Sequence, residues 1–178
     1  MNNVTFPDQK YPMPVYEPIP LITEEMSYTK RIKQAYTAPP KHRLLKPYFI
    51  WYKKYNCWIA IPAGFVIDGA SIPRYFWWAV PPGGVFLRSS IPHDYGYQKE
   101  HILLANSQGR IAKKKITKAE IDIIFHDLSL EVTGVPISSW VAYEAVKYFG
   151  GFTWNGYRRD DIANPKPEIK YETIQDLV

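Results

Sequence analysis

Cysteine is nearly missing from this sequence. Its 178 residues hold one, Cys57, so no intrachain disulfide can form and no cysteine-based zinc site can be assembled. Cys57 stands between Asn56 and Trp58 with no histidine beside it. Such a thiol reads as a small apolar residue of a strand, not as a nucleophile. Long apolar runs are missing too. No stretch approaches the ~20 residues of a membrane-spanning helix. The opening MNNVTFPDQKYPMP has neither a basic start nor an apolar core, so no secretory leader is expected. Phosphate-cradling glycine loops, zinc-protease motifs and nucleophile elbows are absent. The net charge of +5 favours acidic partners weakly and specifies no nucleic acid.

What the chain does have is aromatic residues and proline: 14 Tyr, 6 Trp and 16 Pro. The length suits one domain. A chain of that size buries roughly 68–70% of its unfolded surface, enough for a core without covalent staples. Pro7, Pro12, Pro14, Pro18, Pro20, Pro39 and Pro40 crowd the first segment. Each fixes φ and removes a donor, so residues 1–41 are expected to form an extended arm. Tyr11, Tyr16, Leu21, Ile22 and Tyr28 offer it side chains for docking, on its own domain or on a partner.

Residues 42–68 read as a β-hairpin. Tyr48–Tyr52 is aromatic and β-branched, Lys53-Lys54-Tyr55-Asn56 is the turn, and Cys57–Ile61 returns. Ser71 and Pro73 open a short helix that Pro81-Pro82-Gly83-Gly84 ends. A second helix is expected over Val85–Tyr97, kinked at Pro92 or starting near Ser89-Ser90. A loop is expected from Gln98 through Gly109. Thr117-Lys118-Ala119-Glu120 is a capping box for a helix that stops at Gly134. A last helix is expected over Ile137–Phe149, with Trp140, Val141, Ala145 and Tyr148 buried and Gly150-Gly151 as its stop. Residues 155–178 read as an irregular tail. The class expected is α+β: an arm over 1–41, then a single domain over 42–154 with a hairpin or small antiparallel sheet and a bundle of three to four helices.

The residues best suited to chemistry are His93, Asp94, Asp122 and His126. Asp122 and His126 lie four apart on the well-capped helix and share a face. An antiparallel partner helix brings His93 to Asp122. The carboxylate then fixes the imidazole tautomer and leaves the second nitrogen for a proton from water. Asp94, pointing away, suits a hard cation such as calcium. The same residues also fit a buried His–Asp bond that locks two helices together. Asp68, Ser71 and Arg74 form a second group, read as a capped turn with an acid–base pair. Arg110, Lys113, Lys114, Lys115 and Lys118 are expected in a solvated basic loop. Tyr75-Phe76-Trp77-Trp78 cannot all face one core from a helix, which points to an interface with protein.

One ordered set of motifs carries a resemblance. Ile61-Pro62-Ala63-Gly64-Phe65-Val66-Ile67-Asp68-Gly69-Ala70-Ser71-Ile72-Pro73-Arg74 is followed by Pro81-Pro82-Gly83-Gly84 and by His93-Asp94-Tyr95-Gly96-Tyr97. Then come Ile121–Phe125, Gly134-Val135 and Tyr148-Phe149-Gly150. Over about residues 42–154 the chain resembles the domain-of-unknown-function 1353 family, small proteins encoded largely by bacteriophages and prophages. It departs from that pattern at Pro92, where an apolar residue is usual, and at Lys118, near a common Arg. The setting the resemblance implies is a phage: a virion-associated structural or interaction protein, in the virion or the host cytoplasm, with phage or host proteins as partners. A host-takeover binder is the further option.

His93-Asp94-Tyr95-Gly96-Tyr97 is also similar, locally, to small bacterial phospholipases A2. That likeness implies His93 as the base activating water, Asp94 as a calcium ligand and Asp122 as the residue orienting His93. Tyr97 lies beside them as a further candidate. The reaction would be hydrolysis of a lipid or cell-envelope ester at a membrane surface. Pro82-Gly83-Gly84 is its only candidate for a calcium loop.

Overall fold

A computed structural model describes residues 4–20, 25–31, 41–67, 86–164, 167 and 169–178. The class is α+β, with two antiparallel sheets and three long helices among the described residues. The small sheet has the order β1-β2-β5, from Tyr16–Ile19 (β1), Lys41–Leu44 (β2) and Val66–Ile67 (β5). Pro18 is tolerated because β1 is an edge strand. The larger sheet has the order β3-β4-β6-β7. Its members are Tyr48–Tyr52 (β3), Cys57–Ile61 (β4), His101–Ala105 (β6) and Ile111–Lys115 (β7). The expected hairpin is β3–β4, in register from Tyr48 opposite Ile61 to Tyr52 opposite Cys57. Asn56 closes its turn in the left-handed region, φ 50°, where Asn is among the least strained residues.

The second hairpin corrects the expectation of a loop over Gln98–Gly109. Ile102, Leu103 and Ala105 are buried between β4 and β7. Asn106 shapes the turn, its side-chain oxygen accepting from the amides of Gln108 and Arg110. Lys113, Lys114 and Lys115 therefore stand on an edge strand, not in a loop before a helix. Lysines there discourage pairing with another chain's edge.

Helix α1, Leu87–Lys99, packs on β4, β5 and β6. Pro92 lies inside it. An interior proline leaves the carbonyl four residues earlier without its helical donor, here Arg88. The Tyr48 hydroxyl stands 3.3 Å from that oxygen and equally far from the carbonyl of Pro12 in the arm. Helix α2, Lys118–Thr133, begins at the expected capping box and ends at Gly134, φ 67°. Ile121, Ile124, Phe125 and Leu128 are buried.

Helix α3, Pro136–Ala163, runs straight through the expected stop at Gly150-Gly151. The reason is tertiary. Gly150 lies against the Tyr97 hydroxyl, which would stand 2.2 Å from any Cβ placed there. The glycine is a packing requirement of α1 on α3, and that contact outweighs its helix cost of about 1 kcal/mol. The expected buried stripe is also corrected. Trp140 and Tyr148 are exposed, whereas Ser139, Ala142, Ala145, Val146 and Gly150 face inward. Over residues 139–150 the bundle leaves room only for small side chains on that side, whereas farther along Trp154 and Tyr157 pack against the core.

The described part of the arm docks on its own domain. Phe6 stacks on Trp58 and meets Phe49 edge-on, Tyr11 donates to Glu131, and Trp51 bonds the carbonyl of Lys10. At the other end the tail is not irregular throughout. Thr173 and Asp176 form a capping box over the short 3-10 turn Ile174–Leu177, and both of those apolar side chains enter the core.

Gly150→Ala is expected to destabilise by about 1–3 kcal/mol, as overpacking does, despite alanine's better helix propensity. Gly156, with nothing within 4 Å of a new Cβ, is the control. Gly156→Ala should be neutral or stabilising by up to about 1 kcal/mol. Urea unfolding of the two variants separates packing from propensity.

Candidate functional site

The site forms where the three helices meet. Gly96 makes the approach of α2 to α1 feasible, since a Cβ there would come within 2.6 Å of Ile121 and 2.8 Å of Ile116. That approach sets Asp122 of α2 opposite His93 and Tyr97, one turn apart on α1. His93 Nε2 donates to Asp122 Oδ1 at 3.0 Å, and the Tyr97 hydroxyl donates to the same oxygen at 2.8 Å. Lys118, one turn before Asp122, reaches Oδ2 at 2.7 Å. The same ammonium donates to the carbonyls of Val146 and Lys147 at 3.1 and 3.0 Å. One lysine thus ties α2 to α3 while completing the carboxylate's partners.

On its other edge, His93 Nδ1 faces Asp94 Oδ1 at 3.9 Å. Asp94 is turned inward to the ring rather than away from it. The imidazole lies between Tyr97 and Phe125, with centroids 4.2 and 5.0 Å away. His93 is 1% exposed, Asp94 2% and Asp122 2%.

Burial disfavours the charged ring, but the bonds and charges of Asp122 and Asp94 outweigh it and hold the His93 pKa above its ordinary value. Burial likewise disfavours the Asp122 carboxylate. The bond and charge of His93, with Lys118 and Tyr97, outweigh it and hold that group below the usual carboxylate range. The ring and the Lys118 ammonium thus face two carboxyl groups, Asp94 and Asp122.

His126 does not join this centre. It is part-exposed beside Tyr143, at a centroid distance of 5.3 Å, with Asp127 Oδ1 3.7 Å from its Nδ1. Asp127 in turn accepts from Tyr52 at 2.7 Å. Asp68, Ser71 and Arg74, together with Tyr75–Trp78 and Pro82-Gly83-Gly84, lie outside the described residues. Burial pushes the Cys57 thiol up, away from the reactive range. A cavity of about 800 Å³ opens between the arm and the large sheet, where Phe6, Met13, Tyr48, Phe49 and Val178 line it. None of the residues of the buried centre borders it.

A family model described as a protein of unknown function (DUF1353) matches residues 42–146. The chain belongs to this family. No curated protein and no solved structure matches it. The matched span of this DUF1353 chain holds His93, Asp94, Tyr97, Lys118 and Asp122, and it ends on Val146, whose carbonyl receives Lys118. The resemblance places a common Arg close to Lys118, and here the lysine supplies the cation at Asp122.

Sequence reasoning missed two contributors to this DUF1353 core. Lys118 was grouped with the basic loop, although its i,i+4 spacing to Asp122 was a readable signal. Arg158 carried no signal. It donates to the carbonyls of Tyr97 and Gln98 at 2.8 and 3.0 Å and lies over the Trp154 ring, clamping the end of α1.

Asp122→Ala is expected to destabilise by about 3–5 kcal/mol, because it strands His93 beside one remaining acid and leaves Lys118 with no counter-charge. Chemical denaturation checks it. The pH dependence follows from the two shifts. A raised His93 contributes stability that is complete below its unfolded value near 6.5 and is lost as pH rises through its folded value. A lowered Asp122 contributes stability that is complete above about 3.9 and is lost as pH falls. Thermal stability is therefore expected to be greatest between about pH 4 and 6.5 and to fall on the alkaline side. His93→Gln should flatten that alkaline fall in a thermal series from acid to mildly basic pH.

Proposed function

We propose that the protein is a structural or interaction component of a bacteriophage particle, with its buried polar centre serving as a lock between helices. The observation that carries this reading is the state of the His93 ring. A general base needs a nitrogen open to the water it deprotonates. Here one nitrogen bonds Asp122, the other faces Asp94, and the ring is sealed from solvent.

The calcium-dependent hydrolase reading needs Asp94 turned outward to a hard ion. Asp94 is instead buried against the ring. Among the described residues, no group of three or more His, Cys, Asp or Glu is placed to hold a metal. The phage setting implied by the family resemblance supplies the context, and the exposed large apolar side chains of α3 supply a surface for contact. No helix among the described residues is long and apolar enough to cross a membrane, so a protein partner fits that surface better than a bilayer interior.

Mass spectrometry of purified particles from the encoding phage is expected to find the chain at structural stoichiometry, and its absence would overturn the particle role. Esterase and phospholipase assays with and without calcium are expected to show no turnover. Turnover lost in a folded His93→Gln variant would replace the lock with a reaction centre.

A further inference from the structure

Over residues 139–150 helix α3 turns small residues inward, and large apolar ones stand on its outer side along its length. Ile137 is 78% exposed, Trp140 57%, Tyr148 70%, Phe152 84% and Ile162 82%. At 3.6 residues per turn these five fall within an arc of about 120°. The row runs from Ile137 to Ile162 of this helix, along about 38 Å of axis. Single exposed apolar residues are ordinary. A row of large ones on one face of a rigid helix marks a contact surface.

We infer that this row is the contact face of a homodimer, with α3 of one copy packed antiparallel on α3 of a second copy. Part of the row is complementary to its own reverse. Between its apolar side chains lie Glu144 toward one end and Arg159 toward the other, equally far along the chain from the bond joining Gly151 and Phe152. Val141 and Ile162 are matched in the same way. An antiparallel pair centred on that bond sets Glu144 of each copy beside Arg159 of the other, and Val141 beside Ile162. At the centre, Phe152 of each copy sits on Gly151 of the other, where a Cβ would meet nothing within 4 Å. A two-fold axis there makes every contact twice.

A parallel pair would set Glu144 on Glu144 and Arg159 on Arg159. A membrane surface would place an acid, Glu144, within the row that faces lipid, against the basic borders such helices carry. The bond of Glu144 to Lys147 at 3.3 Å on its own helix is a surface pair. Such pairs contribute little, and a carboxylate accepts from several donors. The inference goes beyond the particle role and stands or falls apart from it.

Sedimentation equilibrium of the full chain across the micromolar range tests it. The wild type is expected to dimerise, and Phe152→Asp to weaken the dimer at least about tenfold, or 1.4 kcal/mol. Glu144→Arg and Arg159→Glu should each weaken it, while the double variant recovers to within about threefold of wild type, as coupled neighbours do. Unchanged circular dichroism and melting temperature show that the variants are folded. A wild type monomeric throughout overturns the inference. So does a dimer indifferent to Phe152→Asp, a double variant that fails to recover, or a monomer that sediments with phosphatidylglycerol vesicles.

Discussion

The carboxylate of Asp122 is the point through which the three helices are held together. It accepts from a ring nitrogen and a hydroxyl of α1 and from an ammonium of α2 that is itself anchored on α3. A buried carboxylate is costly when it is alone. This one has its oxygens filled by three donors, two of them able to carry charge, and a second acid, Asp94, faces the far side of His93. The group is tolerated in the core because both its oxygens are bonded, not because ion pairs are intrinsically stabilising.

The glycines of the motifs follow from this centre. An apolar contact between helices tolerates some sliding, whereas directional bonds to one carboxylate oxygen do not. For His93 and Tyr97 to reach that oxygen together, the backbone of α1 must lie close to α2, and Gly96 makes room for Ile121. For the Tyr97 hydroxyl to lie between Asp122 and α3, the third helix must have no side chain at residue 150. His93-Asp94-Tyr95-Gly96-Tyr97 and Gly150 are therefore parts of one packing problem, set far apart in sequence and solved at one place.

Much of this was legible in the chain and some was not, for physical reasons. The hairpin β3–β4, the capping box at Thr117 and the meeting of His93 with Asp122 rest on local signals: aromatic and β-branched runs, a Thr-x-x-Glu spacing and residues set on one helical face. The loop expected over Gln98–Gly109 failed because the short run Ile102–Ala105 has no alternation; it is buried on both faces of a central strand. The stop at Gly150-Gly151 failed because glycine's local preference was overruled by a hydroxyl from a distant helix. The inward direction of Asp94 was out of reach, since helical spacing fixes which side a residue leaves from but not how its side chain turns.

The inverted character of α3 follows from the same constraint. Its inner face must come close enough for Lys118 to reach the carbonyls of Val146 and Lys147 and for Tyr97 to touch Gly150. Large inner side chains would hold it away and break the cluster. Packing thus accounts for Ser139, Ala142, Ala145 and Gly150, but it places no demand on the outside, where Trp140, Tyr148 and Phe152 stand. Among the described residues, no packing contact requires apolar side chains at those exposed positions. The lock has a further effect on them. With α3 fixed by charge-assisted bonds to α2 and by Arg158 to the end of α1, the outer row is presented on a rigid element. Little ordering entropy remains to be lost when something binds it. A buried polar centre can in this way determine how the surface of the protein is presented.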